Sequence, residues 1–323
     1  MQEIILLLPL VLIILTGLAS VRLKLVQKDA YIYINKVVIF IAMPALTMSS
    51  LITINKDEIA KFPEFLLINI IACISFALIL FFILSRAKLS YEMFGAVYNG
   101  VMEYNVVYFG FPIIMGLFGP VQFAYAVVWV ATVLQVLTTL NALLLTAKSG
   151  QRFSLRKTLK DFVRNPFVIS TFIGFLAFGI VQVFPRNIPA GILNAADQIG
   201  GILLTVLTRI GALGSTLALF SLGVFMSSNF KINSIKVSLV TSIIKLLILP
   251  LWVLIFTYYI FPLSKEAVEI SVILATMPTA VYSIIVSDFY KYDKNQITNT
   301  LFLSSLLFLL TLPLWIWILN LLY

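Results

Sequence analysis

Two prolines interrupt long apolar segments, and they limit what this chain can fold into more than any other feature. One lies in Gly110-Phe111-Pro112, preceded by Glu103, Tyr104 and Asn105. The other lies in Met277-Pro278-Thr279, followed by Tyr282, Ser283 and Asp288. Proline removes a backbone donor and displaces the carbonyl behind it, and in hydrocarbon every N–H and C=O needs a partner. Such a break persists only where it is buried in protein or lines a wet cavity. Two of them, in corresponding segments of two halves, are the sequence mark of a transporter's binding site.

The hydrocarbon setting follows from composition. The chain is 61% hydrophobic and 11% charged, against roughly 45–50% and 25% in an ordinary soluble domain. Its mean hydropathy is +1.08. A net charge of +9 raises the question of nucleic acid, but the basic residues sit in short loops between apolar spans. That is the positive-inside pattern of membrane proteins and not a phosphate-binding face, so no nucleic-acid partner is expected. Histidine is absent, which removes histidine metal ligands, the histidine base of a hydrolase triad and any histidine proton relay. The single cysteine, Cys73, has no internal partner for a disulfide and lies in an apolar run where it packs. No catalytic group, metal site or cofactor is expected. The N-terminal apolar stretch follows Glu3, and its basic residues come after it, so it reads as a retained span and not a cleaved leader.

A membrane span takes about 20 apolar residues. Ten segments qualify, at approximately 3–21, 32–52, 64–84, 93–118, 121–147, 166–184, 199–227, 237–260, 267–287 and 297–321. Segment 189–209, with Asn194, Asp197 and Arg209, is expected to begin as an interfacial helix. Fifteen of the 22 Lys and Arg residues fall in the odd-numbered loops and only Lys56, Lys61, Arg186 and Lys265 in the even ones. This bias puts the odd loops in the cytoplasm and both termini outside, in a multi-pass protein of the cell membrane.

The basic loop 148–165 divides the ten spans into five and five, giving a first repeat at 1–147, a cytoplasmic linker at 148–165 and a second repeat at 166–323. With an odd number of spans, the second half enters from the opposite side. If the halves are homologous they form an inverted repeat, the usual plan of secondary carriers. Weak internal similarity points the same way. Met43-Pro44-Ala45-Leu46 finds an echo in Ser215-Thr216-Leu217-Ala218-Leu219-Phe220, and the broken fourth segment is matched by the broken ninth.

At these residues the chain resembles the auxin efflux carrier family, which includes the plant PIN carriers and prokaryotic carriers proposed for malate or malonate. An Asn-x4-Gly-x-Pro pattern reads Asn105 to Gly110-Phe111-Pro112, and an Asn-Pro opening of the sixth span reads Asn165-Pro166. A Pro-Leu-Ala-Leu-Phe-x-Leu-Gly segment reads Thr216-Leu217-Ala218-Leu219-Phe220-Ser221-Leu222-Gly223, with threonine where the family often has proline. Met277-Pro278 and a closing Ser304…Thr311-Leu312-Pro313 complete the series, whose order and spacing are more specific than any one member. The short central loop suits a prokaryotic carrier better than a plant one. The resemblance implies an all-α integral membrane fold of ten helices in two inverted five-helix repeats, like sodium/proton antiporters or bile-acid transporters. It also implies that helices four and nine are unwound where they cross, that a scaffold layer of spans one, two, six and seven faces a moving layer, and that the cargo is a small carboxylate. A homodimer through the scaffold helices is a further expectation.

These readings converge on a secondary transporter of small organic anions such as auxin-like acids, malate or malonate. Asn105 is the expected substrate amide: a neutral donor binds a carboxylate and still lets it go. Tyr108, Phe109 and Tyr282 would wall the apolar part of the substrate, and Gly110, Pro112, Pro278 and Thr279, at the breaks, complete the expected substrate-binding set. Glu103 carries a charge near mid-span at a cost of ~2.5–3.5 kcal/mol on insertion scales. It should therefore face a cavity, carry a proton or pair with Lys36 or Lys245. Glu103 and Asp288 are the candidates for coupling, Asp288 also as an interfacial cap. The rival reading is a cation-coupled carrier of the bile-acid or sodium/proton exchanger type, which would need a tight set of intramembrane carboxylates. The fourth and ninth segments hold no adjacent acidic pair.

Overall fold

The computed structural model describes residues 2–149, 154–183, 190–228 and 235–323. These are all-helical. In chain order the helices are α1 (Gln2–Arg22), α2 (Ala30–Ile52), α3 (Lys56–Arg86), α4 (Tyr91–Met102), α5 (Val106–Leu117), α6 (Pro120–Lys148), α7 (Leu155–Val163), α8 (Pro166–Val183), α9 (Ala190–Ser228), α10 (Ile235–Ile260), α11 (Lys265–Ala275), α12 (Tyr282–Tyr290) and α13 (Lys294–Leu322). Six of them (α2, α3, α6, α10, α13 and the part of α9 at Gln198–Ser227) are long and apolar enough to cross a membrane.

Local sequence explains several boundaries. Asn55 and Ser90 cap α3 and α4 through their side chains, and Ser264 and Asp293 do the same for α11 and α13. Gly119 takes φ +86° at the joint between α5 and α6, a conformation an L side chain adopts only with strain, and Pro120 opens the next helix. Each π-helical stretch among the described residues precedes a proline by two residues. The pairs are Val38–Ala42 before Pro44, Val106–Gly110 before Pro112, Ile244–Ile248 before Pro250, and Ile255–Ile260 before Pro262. A proline ring clashes with the carbonyl four residues back, and a wider turn moves that carbonyl aside.

From Ala190 the segment expected at the entry to the seventh span is part of α9, which runs continuously to Ser228. The central segment 148–165 is partly helical. It contains α7, in which Leu159, Phe162 and Val163 are exposed beside the basic Arg156 and Lys160.

The helices pack in two groups. Helices α1, α2, α8 and α9 pack mainly on one another, and α3, α4, α6 and α10–α13 form the larger group. The first group closes through glycine. A Cβ at Gly223 would stand 1.9 Å from the Ile14 carbonyl oxygen, and one at Gly17 would stand 2.1 Å from that of Phe220, so α1 and α9 touch backbone to backbone. Small residues make such contact possible where lipid offers no hydrophobic drive between helices. Polar ties hold the second group. Asn69 on α3 donates to Ser271 of α11 at 2.8 Å and accepts from Trp129 Nε1 of α6 at 3.2 Å, all three side chains being buried.

Candidate functional site

Helix α4 stops at Met102, and Glu103 continues in extended conformation. The chain stays non-helical through Asn105 before α5 begins. Helix α11 stops at Ala275, and residues 276–281 are non-helical until α12 begins. The two breaks meet. Tyr104 and Thr279 form an antiparallel bridge. The Asn105 amide donates to the Pro278 carbonyl at 3.0 Å, and the Ala280 amide donates to the Glu103 carbonyl at 3.3 Å. Backbone groups released by breaking two helices are thereby paired with each other, which is what a low-dielectric setting demands.

Side chains reinforce the crossing. The Thr279 hydroxyl donates to the Gly100 carbonyl at 2.6 Å, capping a carbonyl left open at the end of α4. The Thr279 amide donates to Ser304 Oγ of α13 at 3.2 Å, and Asn99 Nδ2 donates to the Ser283 carbonyl at 3.1 Å. Several neighbouring polar atoms are buried without a partner: Asn105 Nδ2, Asn99 Oδ1, Ser283 Oγ, Ser305 Oγ and Lys245 Nζ. Buried polar atoms are normally satisfied, and unsatisfied ones gathered at a helix break are what a ligand or ordered water would complete.

Asn105 lies in the break and is buried. Glu103 is buried at the start of the same break. Lys245 of α10 is the basic group that acts on it electrostatically, although the two do not come within ion-pair distance. Lys36 and Arg209 are exposed on α2 and α9, so Lys36 is not the partner of Glu103. Pro112 does not form the first break, contrary to expectation. It sits inside α5, seven residues beyond Asn105, directly after the wide turn Val106–Gly110 that makes room for its ring. Pro278 is within the second break. Gly110 is buried in the wide turn, and Val106 Cγ1 would stand 3.0 Å from a Cβ there.

Phe109 is buried, lies edge-on to Phe308 at 5.1 Å, and lines a small apolar cleft with Val11, Ile14, Ile113 and Leu219. This cleft lies between the two helix groups. Tyr108, partly buried, and Tyr282, half exposed on the first turn of α12, lie outside its lining. Asp288 is on α12, but its side chain lies outside the described ones. Asn99, Gly100 and Ser305 were not singled out from sequence. Asn99 and Gly100 precede the first break in a run that is apolar from Met93 apart from Tyr98, and the amide of Asn99 was the available signal.

Comparison with known proteins agrees with a membrane carrier. The chain is 24% identical over 319 residues to an uncharacterized transporter of Methanocaldococcus jannaschii, covering 95% of this chain and 96% of that protein. It is 25% identical over 310 residues to an uncharacterized transporter of Methanothermobacter thermautotrophicus, covering 95% and 94%. A family model described as membrane transport protein matches residues 3–316. With that match spanning almost its whole length, the chain belongs to the membrane transport protein family, that of the auxin efflux carriers and PIN-like permeases.

Proposed function

We propose that this transporter is a secondary carrier of small organic anions, working by alternating access at the crossing of the two broken helices. The observation that carries the reading is the Asn105 side-chain amide: Nδ2 is buried at the break with no partner among the described residues. Helices α5 and α12 both begin at this crossing, so their N-terminal partial charges lie beside a neutral donor. A carboxylate is the ligand such a set recognises. The Phe109 cleft then accommodates apolar substrate atoms where the two helix groups meet.

On this reading the chain has ten membrane spans in two inverted repeats, 1–147 and 166–323, joined by 148–165. Both termini are outside the cell membrane, and α1, α2, α8 and α9 form the scaffold through which a homodimer would assemble. The test is counterflow of radiolabelled malate, malonate and indole-3-acetate in proteoliposomes. Wild-type protein should show saturable counterflow with at least one of them. Asn105→Ala should lose it by tenfold or more at an unchanged denaturation midpoint. Equal counterflow by the alanine variant removes Asn105 from the site. Flux that requires sodium would favour the cation-coupled rival.

A further inference from the structure

Lys245 has the least expected environment of any charged side chain among the described residues. It is wholly buried on α10, and its ammonium has no hydrogen-bond acceptor. Three donors left unmet in a membrane interior are costly, so something must compensate. The compensation visible is electrostatic. The ammonium stands 3.4 Å from the centroid of the Tyr104 ring, and Glu103 is the nearby carboxylate acting on it. A desolvated cation over an aromatic face is in the setting where that attraction is strongest.

The surroundings fix this arrangement. Lys245 lies in the wide turn Ile244–Ile248, and Trp315 Nε1 donates to the Leu246 carbonyl in that turn at 2.8 Å. The Tyr104 ring packs edge-on against Trp129 at 5.3 Å, and its hydroxyl is 4.0 Å from Cys73 Sγ. Tyr104 is also the residue that bridges to Thr279. The cation, its aromatic face and its carboxylate therefore all bear on the first break.

We infer that Lys245 is a tethered cation filling a monovalent cation site behind the helix crossing, framed by the Tyr104 ring and the Glu103 carboxylate. The crossing is thus held by a charge that belongs to the chain, and it needs no alkali ion bound from solution. Removing the side chain beyond Cβ vacates a space shaped like its missing atoms, three carbons and an ammonium. That space should bind n-propylammonium.

The test uses Cys73, the protein's single thiol, which is buried against Tyr104. It needs no transport substrate, so its outcome stands apart from the anion-carrier reading. N-ethylmaleimide labelling of purified protein should be slow in the wild type. In Lys245→Ala it should be at least tenfold faster, and n-propylammonium should restore protection saturably while 1-propanol does not. Glu103→Gln in that background should weaken the n-propylammonium effect by tenfold or more. Lys245→Met fills the space without the charge and should label as fast as the alanine variant. If the alanine variant does not fold, the methionine variant decides alone. The inference is overturned if Lys245→Met protects Cys73 as well as wild type, or if propanol restores protection equally. It is also overturned if n-propylammonium has no effect on a folded alanine variant, or if sodium saturably stabilises the wild type.

Discussion

Replacing Thr279 by valine would isolate one interaction that holds the crossing together. The substitution keeps the shape and removes the hydroxyl that caps the Gly100 carbonyl at 2.6 Å. Thr279 is wholly buried, so no water replaces the lost donor. An unsatisfied buried acceptor costs ~1–3 kcal/mol, which is roughly a 5- to 150-fold shift in a local opening equilibrium. The backbone bridge beside it comprises the Asn105 and Ala280 amides, and their opening is read by hydrogen exchange. Peptides covering residues 103–106 and 276–281 should lose protection by that factor in Thr279→Val. Peptides from α1 and α9 should be unchanged, and Thr279→Ser, which retains the hydroxyl, should remain within about threefold of wild type. Wild-type protection in the valine variant would refute the argument that this bond closes the crossing. Equal loss in the serine variant would show that the methyl group, not the hydroxyl, is what matters.

Gly223→Leu should lower the denaturation midpoint in detergent, because forcing apart the backbone contact with Ile14 costs at least ~1–3 kcal/mol. Gly200→Ala, with no atom within 4 Å of the new Cβ, should leave the midpoint unchanged or raise it. Pro112→Ala should let the wide turn Val106–Gly110 tighten and turn Phe109 away from the cleft, reducing counterflow several-fold. The exchange protection of residues 103–106 should survive it, and loss of that protection would place the origin of the break at Pro112 after all. Single cysteines at Ser154 and Asn320, in a Cys73→Ala background, should label from opposite sides of intact cells. Labelling from one side would remove the ten-span arrangement.

Much of the helical layout was legible because a membrane span is a long apolar run, and charge in the loops punctuates it. The position of the first break was not legible. Proline is the visible breaker in a sequence, yet Pro112 is accommodated by a wide turn, while Glu103, Tyr104 and Asn105 lose their helix to pairing with residues 278–280. That pairing is a tertiary contact between residues far apart in the chain, and no local propensity encodes it. At the second break, Pro278 does lie in the irregular stretch, so sequence and structure coincide there. Lys245 was visible as a lone basic residue in an apolar run. Its position over Tyr104 depends on the packing of α10 against the crossing, which periodicity cannot reveal. Helix α7 was overlooked because its basic residues dominated the reading of 148–165.

The chemistry of the two helix groups suits the motion that an alternating-access carrier requires. Within the first group, α1 and α9 meet backbone to backbone at Gly17 and Gly223, where even a methyl group would overlap the facing carbonyl. Within the second, directional bonds such as those of Asn69 and Thr279 fix the helices relative to one another. Across the boundary lie apolar contacts: Ile14 and Leu219 share a cleft with Phe308 and Leu312 of α13, and Phe62 lies edge-on to Phe175. Apolar contact is non-directional, so sliding exchanges one set of neighbours for another at little cost, whereas breaking a buried hydrogen bond costs ~1–3 kcal/mol at once. Under the carrier reading the crossing would move with the second group, since its ties run to α4 and α13. Under the carrier reading, Asn105 therefore travels as part of a rigid body past Phe109's cleft partners on α1 and α9. A substrate held there would change sides without the break itself having to open.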